Sequence, residues 1–191
     1  MTVVYLARHG QTAYNHEARF QGHAPVPLDA TGREQAAELA ERVAALGPLR
    51  TFICSPLERA RETAAIVGAR IGMTPTEDAR FAETDVGDWE HRTYAEIGAE
   101  DPAGLEAFLR TDADFTFPGG ESYAHHLARV EDGLADLFAG AGGDRLPALV
   151  VCHGGVLRLA LAARGDESAR EWTMANTALV TLHADGRVEG R

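Results

Sequence analysis

The chain has 191 residues, 45% of them hydrophobic and 25% charged, with a formal net charge of −11. That length supports one globular domain, residues 1–191, with a sizeable core. The acidic balance argues against nucleic acid as a partner, since a phosphate backbone is held by clustered Lys and Arg. Two cysteines, Cys54 and Cys152, make no disulfide framework, and no apolar run is long enough to span a bilayer, so a cytoplasmic protein with no membrane contact is expected.

Val3–Ala7 is a β-rich run that ends on Arg8, His9 and Gly10. Thr31-Gly32-Arg33-Glu34 has the form of a capping box, and Ala36, Leu39, Ala40, Val43 and Leu46 then recur with helical period until Gly47-Pro48. Thr51–Cys54 reads as a second strand, with Ser55 as N-cap and Pro56 at the first position of a helix that carries Arg59. From about 77 to 120 the pattern weakens into polar punctuation, as at Asp101-Pro102, and scattered aromatics (Phe81, Trp89, Tyr94, Phe108, Phe115, Phe117), which predicts a small helical cap insertion. Glu121–Phe138 is helical. Ala148–Cys152 is the clearest buried strand, followed by His153-Gly154-Gly155 and an apolar helix over Val156–Ala163. Thr177–His183 reads as a strand, and Asp185-Gly186 as the turn of a last hairpin.

Strands alternating with helices predict an α/β fold: a three-layer sandwich with a mostly parallel central sheet and helices on both faces. Ligands of such sheets bind beyond the carboxyl ends of the strands. Three strands here end in polar chemistry: Arg8-His9, Ser55 with Arg59, and His153. Two guanidinium groups and two imidazoles at one sheet edge suit a phosphoryl group, since guanidinium forks match its oxygens and stay charged. Helix N-termini after Gly10 and Gly154 would add backbone N–H donors. An imidazole in line with phosphorus can act as nucleophile, and a carboxylic acid can protonate the leaving oxygen. Glu83 is the favoured acid, with Asp85, Asp88 and Glu90 as nearby alternatives.

The sequence resembles the histidine phosphatase superfamily, in its phosphoglycerate-mutase-like branch. The motifs are RHGQTAYN (Arg8–Asn15), RFQG (Arg19–Gly22), TGREQA (Thr31–Ala36), SPLERARETA (Ser55–Ala64), ETDVGDWE (Glu83–Glu90), PGGES (Pro118–Ser122) and VVCHGGVLR (Val150–Arg158), in family order and over nearly the whole chain. The resemblance implies that His9 becomes phosphorylated, that Arg8, Arg59 and His153 bind the phosphoryl group with Asn15 as an added donor, and that Glu83 serves as acid and then as base. It places Gln21, Gly22 and Gly154 against the substrate, and it implies no metal and no cofactor. Pro25, Asp29 and His91 depart from the family pattern at positions that could shape the pocket mouth or the cap.

The implied activity is hydrolysis of a small phosphorylated metabolite, favoured at mildly acidic pH, with a homodimer left open. Phosphoglycerate mutase is the runner-up, and a non-catalytic phosphate-binding module is a third reading. Cys152-His153-Gly154-Gly155-Val156-Leu157-Arg158 also fits the C-x-x-G-x-x-R loop of cysteine-dependent phosphatases, but that chemistry leaves RHG, Arg59 and Glu83 without a use. His125 and His126 are neighbours on a helix and so point about 100° apart, which predicts a polar helix face rather than a joint metal site. His16, Arg19, His23 and Tyr123 are expected at the surface, Tyr123 near the entrance.

Overall fold

A computed structural model describes residues 2–112, 114–139, 144–166 and 174–190. The elements in chain order are β1 (Val3–Arg8), α1 (Ala13–His16), α2 (Ala30–Ala45), β2 (Thr51–Cys54), α3 (Glu58–Ile71), β3 (Thr76–Glu77), α4 (Tyr94–Glu100), α5 (Pro102–Arg110), α6 (Tyr123–Ala139), β4 (Ala148–Cys152), α7 (Gly154–Ala162), β5 (Leu179–His183) and β6 (Val188–Glu189). The sheet order is β3-β2-β4-β1-β5-β6. β3, β2, β4 and β1 pair in parallel, whereas β5 pairs antiparallel with β1 and β6 antiparallel with β5.

Period-two alternation along these strands feeds two separate cores. Val4, Leu6, Ala148, Val150 and Cys152 face α6 and α7, packing on Val130, Leu134, Val156 and Leu157. Val3, Tyr5, Ala7, Leu149 and Val151 face α2 and α3, packing on Leu39, Val43, Ala64 and Val67. The central strands are therefore buried on both sides, which is why they read as continuous apolar runs.

Between β3 and α6 the chain makes 3-10 turns at Ala79–Phe81 and Gly87–Trp89 and then the short helices α4 and α5. Asp101 caps α5 through the Gly104 amide, with Pro102 in the first turn. A third cluster gathers Phe20, Trp89, Phe108, Phe117 and Tyr123. Phe81, grouped by sequence with those aromatics, lies instead in the core under α6.

Three local expectations are corrected. Asp29, not Thr31, caps α2: its carboxylate accepts from Gly32 N at 2.7 Å, and an anion at a helix N-terminus is favoured by the aligned peptide dipoles. Ser55 does not cap a helix starting at Pro56: α3 begins at Glu58 after an uncapped Leu57, and the Ser55 hydroxyl is used elsewhere. No helix starts at Gly10. Its N–H donates to Thr63 Oγ1 at 3.1 Å, and a Cβ there would overlap the backbone of Gly32, so Gly10 serves close packing of β1's exit against α2.

Candidate active site

The pairing register brings three strand ends to one edge. Arg8 pairs with Cys152, His9 N donates to Cys152 O (3.0 Å), and Ser55 N donates to Val151 O (2.9 Å). Each strand therefore hands its next residue to the same place. A cavity of about 310 Å³ opens there, lined by Arg8, His9, Asn15, Gln21, Gly22, Arg59, Glu83 and Gly154 among the expected site residues.

His9 is buried. Its Nδ1 lies 2.6 Å from Gly10 O, so Nδ1–H donates to that carbonyl and the lone pair is left on Nε2. Arg59 Nε donates to this Nε2 at 3.3 Å. Burial, then the charges of Arg59 and Arg8, holds the His9 pKa well below its usual value, so the ring is neutral. His153 stands beside it, with ring centroids 5.2 Å apart, and its Nε2 is 2.7 Å from the Ser55 hydroxyl. His153 is wholly buried and forms the wall behind His9 rather than the cavity lining. Its pKa is also well below the usual value, through burial and then Arg59.

Arg59 projects from the first turn of α3 and is buried. Its terminal nitrogens donate to Gly22 O (2.8 Å) and Ala24 O (3.3 Å). That loop is gripped in turn by Glu90, whose Oε2 accepts from His23 N (2.8 Å) and Ala24 N (3.0 Å). Burial lowers the Arg59 pKa to about 10, which leaves it charged at neutral pH. Arg8 donates to Met174 O, and its buried Nε has no partner among the described residues.

Of the four nearby carboxylates, Glu83 alone lines the cavity. Its Oε1 accepts from Thr84 N (3.0 Å) and its Oε2 from Gly155 N (3.2 Å) at the start of α7. Asp85 accepts from Gly87 N, and Glu90 holds the Arg59 loop. The Glu83 backbone is pinned as well: its carbonyl accepts from Arg129 (3.0 Å) and lies 2.8 Å from Nε2 of His23, which is exposed as expected.

Asn15 Oδ1 accepts from Thr12 N (3.1 Å) and from Asn176 Nδ2 (3.2 Å). The backbone donor fixes which end of the amide is oxygen and leaves the Asn15 NH2 as a donor in the cavity. Asn176, which sequence reasoning missed, lines the cavity and also donates to His9 O at 3.2 Å. Its signal is the antiparallel pairing of β5 with β1: Leu179 sits opposite Ala7, so the residues entering β5 lie at β1's outgoing end.

Other expectations separate. Tyr123 is buried, its hydroxyl contacting Arg158 and donating to Phe108 O at 3.3 Å, so it is not at the entrance. Arg158 does line the cavity, stacked 4.7 Å over the Phe108 ring. His125 is exposed beside Glu121, but His126 is wholly buried, contrary to the expected polar face, because it lies on the side of α6 that packs inward. Pro25 lies outside the cavity, and His91 touches its lining through Tyr14, whose hydroxyl is 2.8 Å from His91 Nδ1, through Arg19, which donates to His91 O (2.9 Å), and through Phe20, whose carbonyl accepts from His91 N (3.0 Å). Cys152 points into the sheet core, where burial pushes its thiol far up, the opposite of a reactive thiolate. Among the described residues no cluster of His, Cys, Asp and Glu could hold a metal, and no helix is long and apolar enough to cross a membrane.

The family model of the histidine phosphatase superfamily (branch 1) matches residues 4–189. The chain belongs to that superfamily. A glucosyl-3-phosphoglycerate phosphatase of Mycolicibacterium vanbaalenii is 35% identical over 194 residues, covering 97% of this chain and 85% of the relative. A probable phosphoglycerate mutase, GpmB, of Salmonella paratyphi B is 36% identical over 154 residues, covering 81% and 70%. Among solved structures, the mycobacterial glucosyl-3-phosphoglycerate phosphatase in complex with VO3 superposes with a TM-score of 0.85 at 34% identity, covering 99% of this chain and 96% of that one. These relatives favour phosphatase over mutase, and the chain is a phosphoric monoester hydrolase of the histidine phosphatase type.

Proposed function

We propose that this phosphatase works through phospho-His9, with Arg8, Arg59, Asn15 and the Gly154 backbone around the transferring phosphoryl group and with His153 packed against the His9 ring to hold the nucleophile. The observation that carries this is the bare Nε2 of neutral His9, pointed at the buried Arg59 on the floor of a cavity that Glu83 also lines.

In the first step Nε2 attacks phosphorus, the bond to the leaving oxygen breaks, and the Glu83 carboxyl proton passes to that oxygen. The Nδ1–H bond to Gly10 O supports the cationic phosphoimidazole. The guanidinium groups stabilise the charge that spreads over the equatorial oxygens. In the second step the Glu83 carboxylate takes a proton from water, the resulting hydroxide attacks phosphorus, and the N–P bond breaks to release phosphate and regenerate Nε2. The segment at about 77–120 acts as a cap. It supplies Glu83, Thr84, Val86, Tyr94, Phe108 and Phe117 to the cavity, an aromatic wall against which the organic half of a small ester packs.

The names of the relatives and the presence of Arg158 in the lining support a phosphorylated sugar or sugar acid as the substrate class. A phosphate-release screen over phosphorylated sugars, hydroxy acids and polyols, with His9→Ala as blank, tests this. Release from that class, lost in His9→Ala and kept in Cys152→Ser, is expected. Loss in Cys152→Ser with survival in His9→Ala would overturn it.

A further inference from the structure

His126 and Thr84 form a buried pair that the two-step chemistry does not use. Thr84 Oγ1 lies 2.5 Å from His126 Nδ1, and both residues are buried, at 4% and 0% exposure. His126 Nε2 has no partner among the described residues. Burial and the charges of Arg129 and Arg158 keep this imidazole neutral, so it carries one proton. A proton on Nε2 would be a buried orphan donor, while a bare Nε2 leaves only an unused lone pair. The proton therefore sits on Nδ1 and is donated to Thr84 Oγ1.

A threonine hydroxyl that accepts in this way keeps its own proton for another acceptor. Thr84 lines the cavity, and its backbone N–H already fixes Glu83 Oε1 at 3.0 Å, so hydroxyl and carboxyl belong to one stretch of wall. From this geometry we propose that Thr84 is a substrate-binding residue. Its hydroxyl, oriented by His126 as a positioning residue, donates to an oxygen on the leaving-group half of the ester. The pair then selects esters whose organic half carries oxygen acceptors near the phosphate over those that carry only hydrocarbon. A site built to hydrogen-bond a substrate oxygen discriminates strongly against an analogue that lacks it.

This proposal rests on the cavity being the phosphatase site described above. Its test is the ratio of kcat/KM for glycerol phosphate to that for propyl phosphate, two alkyl esters that both need a proton on the leaving oxygen and that differ in the oxygen acceptors of the organic half. Thr84→Val is expected to lower the ratio about tenfold, His126→Phe to lower it in the same direction, and Thr84→Ser to retain it. Thr84→Ala replaces Thr84→Val if the latter does not fold. Calorimetric binding of glycerol phosphate to His9→Ala, with and without Thr84→Val, reads the same contact without turnover, and about a tenfold weakening is expected. A ratio unchanged while both rates fall together, or equal calorimetric affinities, would overturn the assignment and reduce Thr84 to support for Glu83. Failure of the wild-type protein to release phosphate from either ester would instead count against the site's role, and calorimetry would still decide the Thr84 contact.

Discussion

Gly155→Ala is the sharpest test of Glu83 as the proton donor. A Cβ at this position would overlap Glu83 Oε1 and lie 3.2 Å from Glu83 Cδ and 3.3 Å from His126 Cε1. His126, which that Cβ also approaches, is buried and cannot give way, so the carboxylate must yield by about 1 Å and lose its bond from Gly155 N. A displacement of that size at a reacting group is worth about a hundredfold in rate, or about 2.7 kcal/mol of barrier.

The loss should depend on whether the leaving oxygen needs a proton. With an alkyl phosphate, release of the alcohol should fall about a hundredfold from the first turnover. With p-nitrophenyl phosphate, whose leaving group departs as the anion, the first turnover should stay within about threefold of wild type. Later turnovers should slow, because they need Glu83 as base for hydrolysis of phospho-His9. Stopped-flow release of nitrophenol would then show a burst followed by a slow phase. Equal slowing of the first turnover for both esters, or no slowing with the alkyl ester, would refute the assignment of Glu83 as the acid.

Acidification should cost the fold stability. His9, His126 and His153 are buried and neutral, with pKa values depressed well below the unfolded value of about 6.5, so between those limits the unfolded chain binds more protons and stability falls with pH. Each contributes on the order of 1 kcal/mol between pH 7.5 and 5.5, a few kcal/mol together, readable from urea midpoints; a flat profile over that window would show that they protonate in the fold. The same depression keeps the nucleophile unprotonated, so kcat/KM should show no acid limb at pH 6.5. Arg59→Lys should lower turnover about a hundredfold, since one ammonium cannot span Gly22 O and Ala24 O while also facing His9; turnover within threefold would show that point charge suffices. Asp29→Ala should lower stability by about 1 kcal/mol, whereas Thr31→Ala should leave the melting temperature nearly unchanged; the reverse would restore Thr31 as the cap.

Local sequence carried the fold class and most of the residues that meet at the cavity. The apolar runs 3–7, 51–54 and 148–152 could only be strands buried on both faces, and each ends abruptly in polar residues. Arg8, His9, Arg59 and His153 were legible because those boundaries are local, and parallel pairing then forces their ends together. The cap of α2 was misplaced because Asp29 and Thr31 are both good caps, and the choice turned on Asp29 also accepting from Gln11 at 3.0 Å.

What local pattern left open was decided by long-range packing. Local pattern favoured Glu83 only modestly over Asp85, Asp88 and Glu90, and it is the approach of α7 that brings the Gly155 amide to Glu83 at the cavity. Asn176 became part of the site only because β5 returns antiparallel beside β1. His126 looked like one of two histidines on a polar face, and only the docking of α6 buried it behind Thr84 while leaving His125 in solvent. The division follows from range: a strand end or a helix start is written in a few adjacent residues, whereas a carboxylate's partner, or the burial of a histidine, depends on elements tens of residues away in the chain.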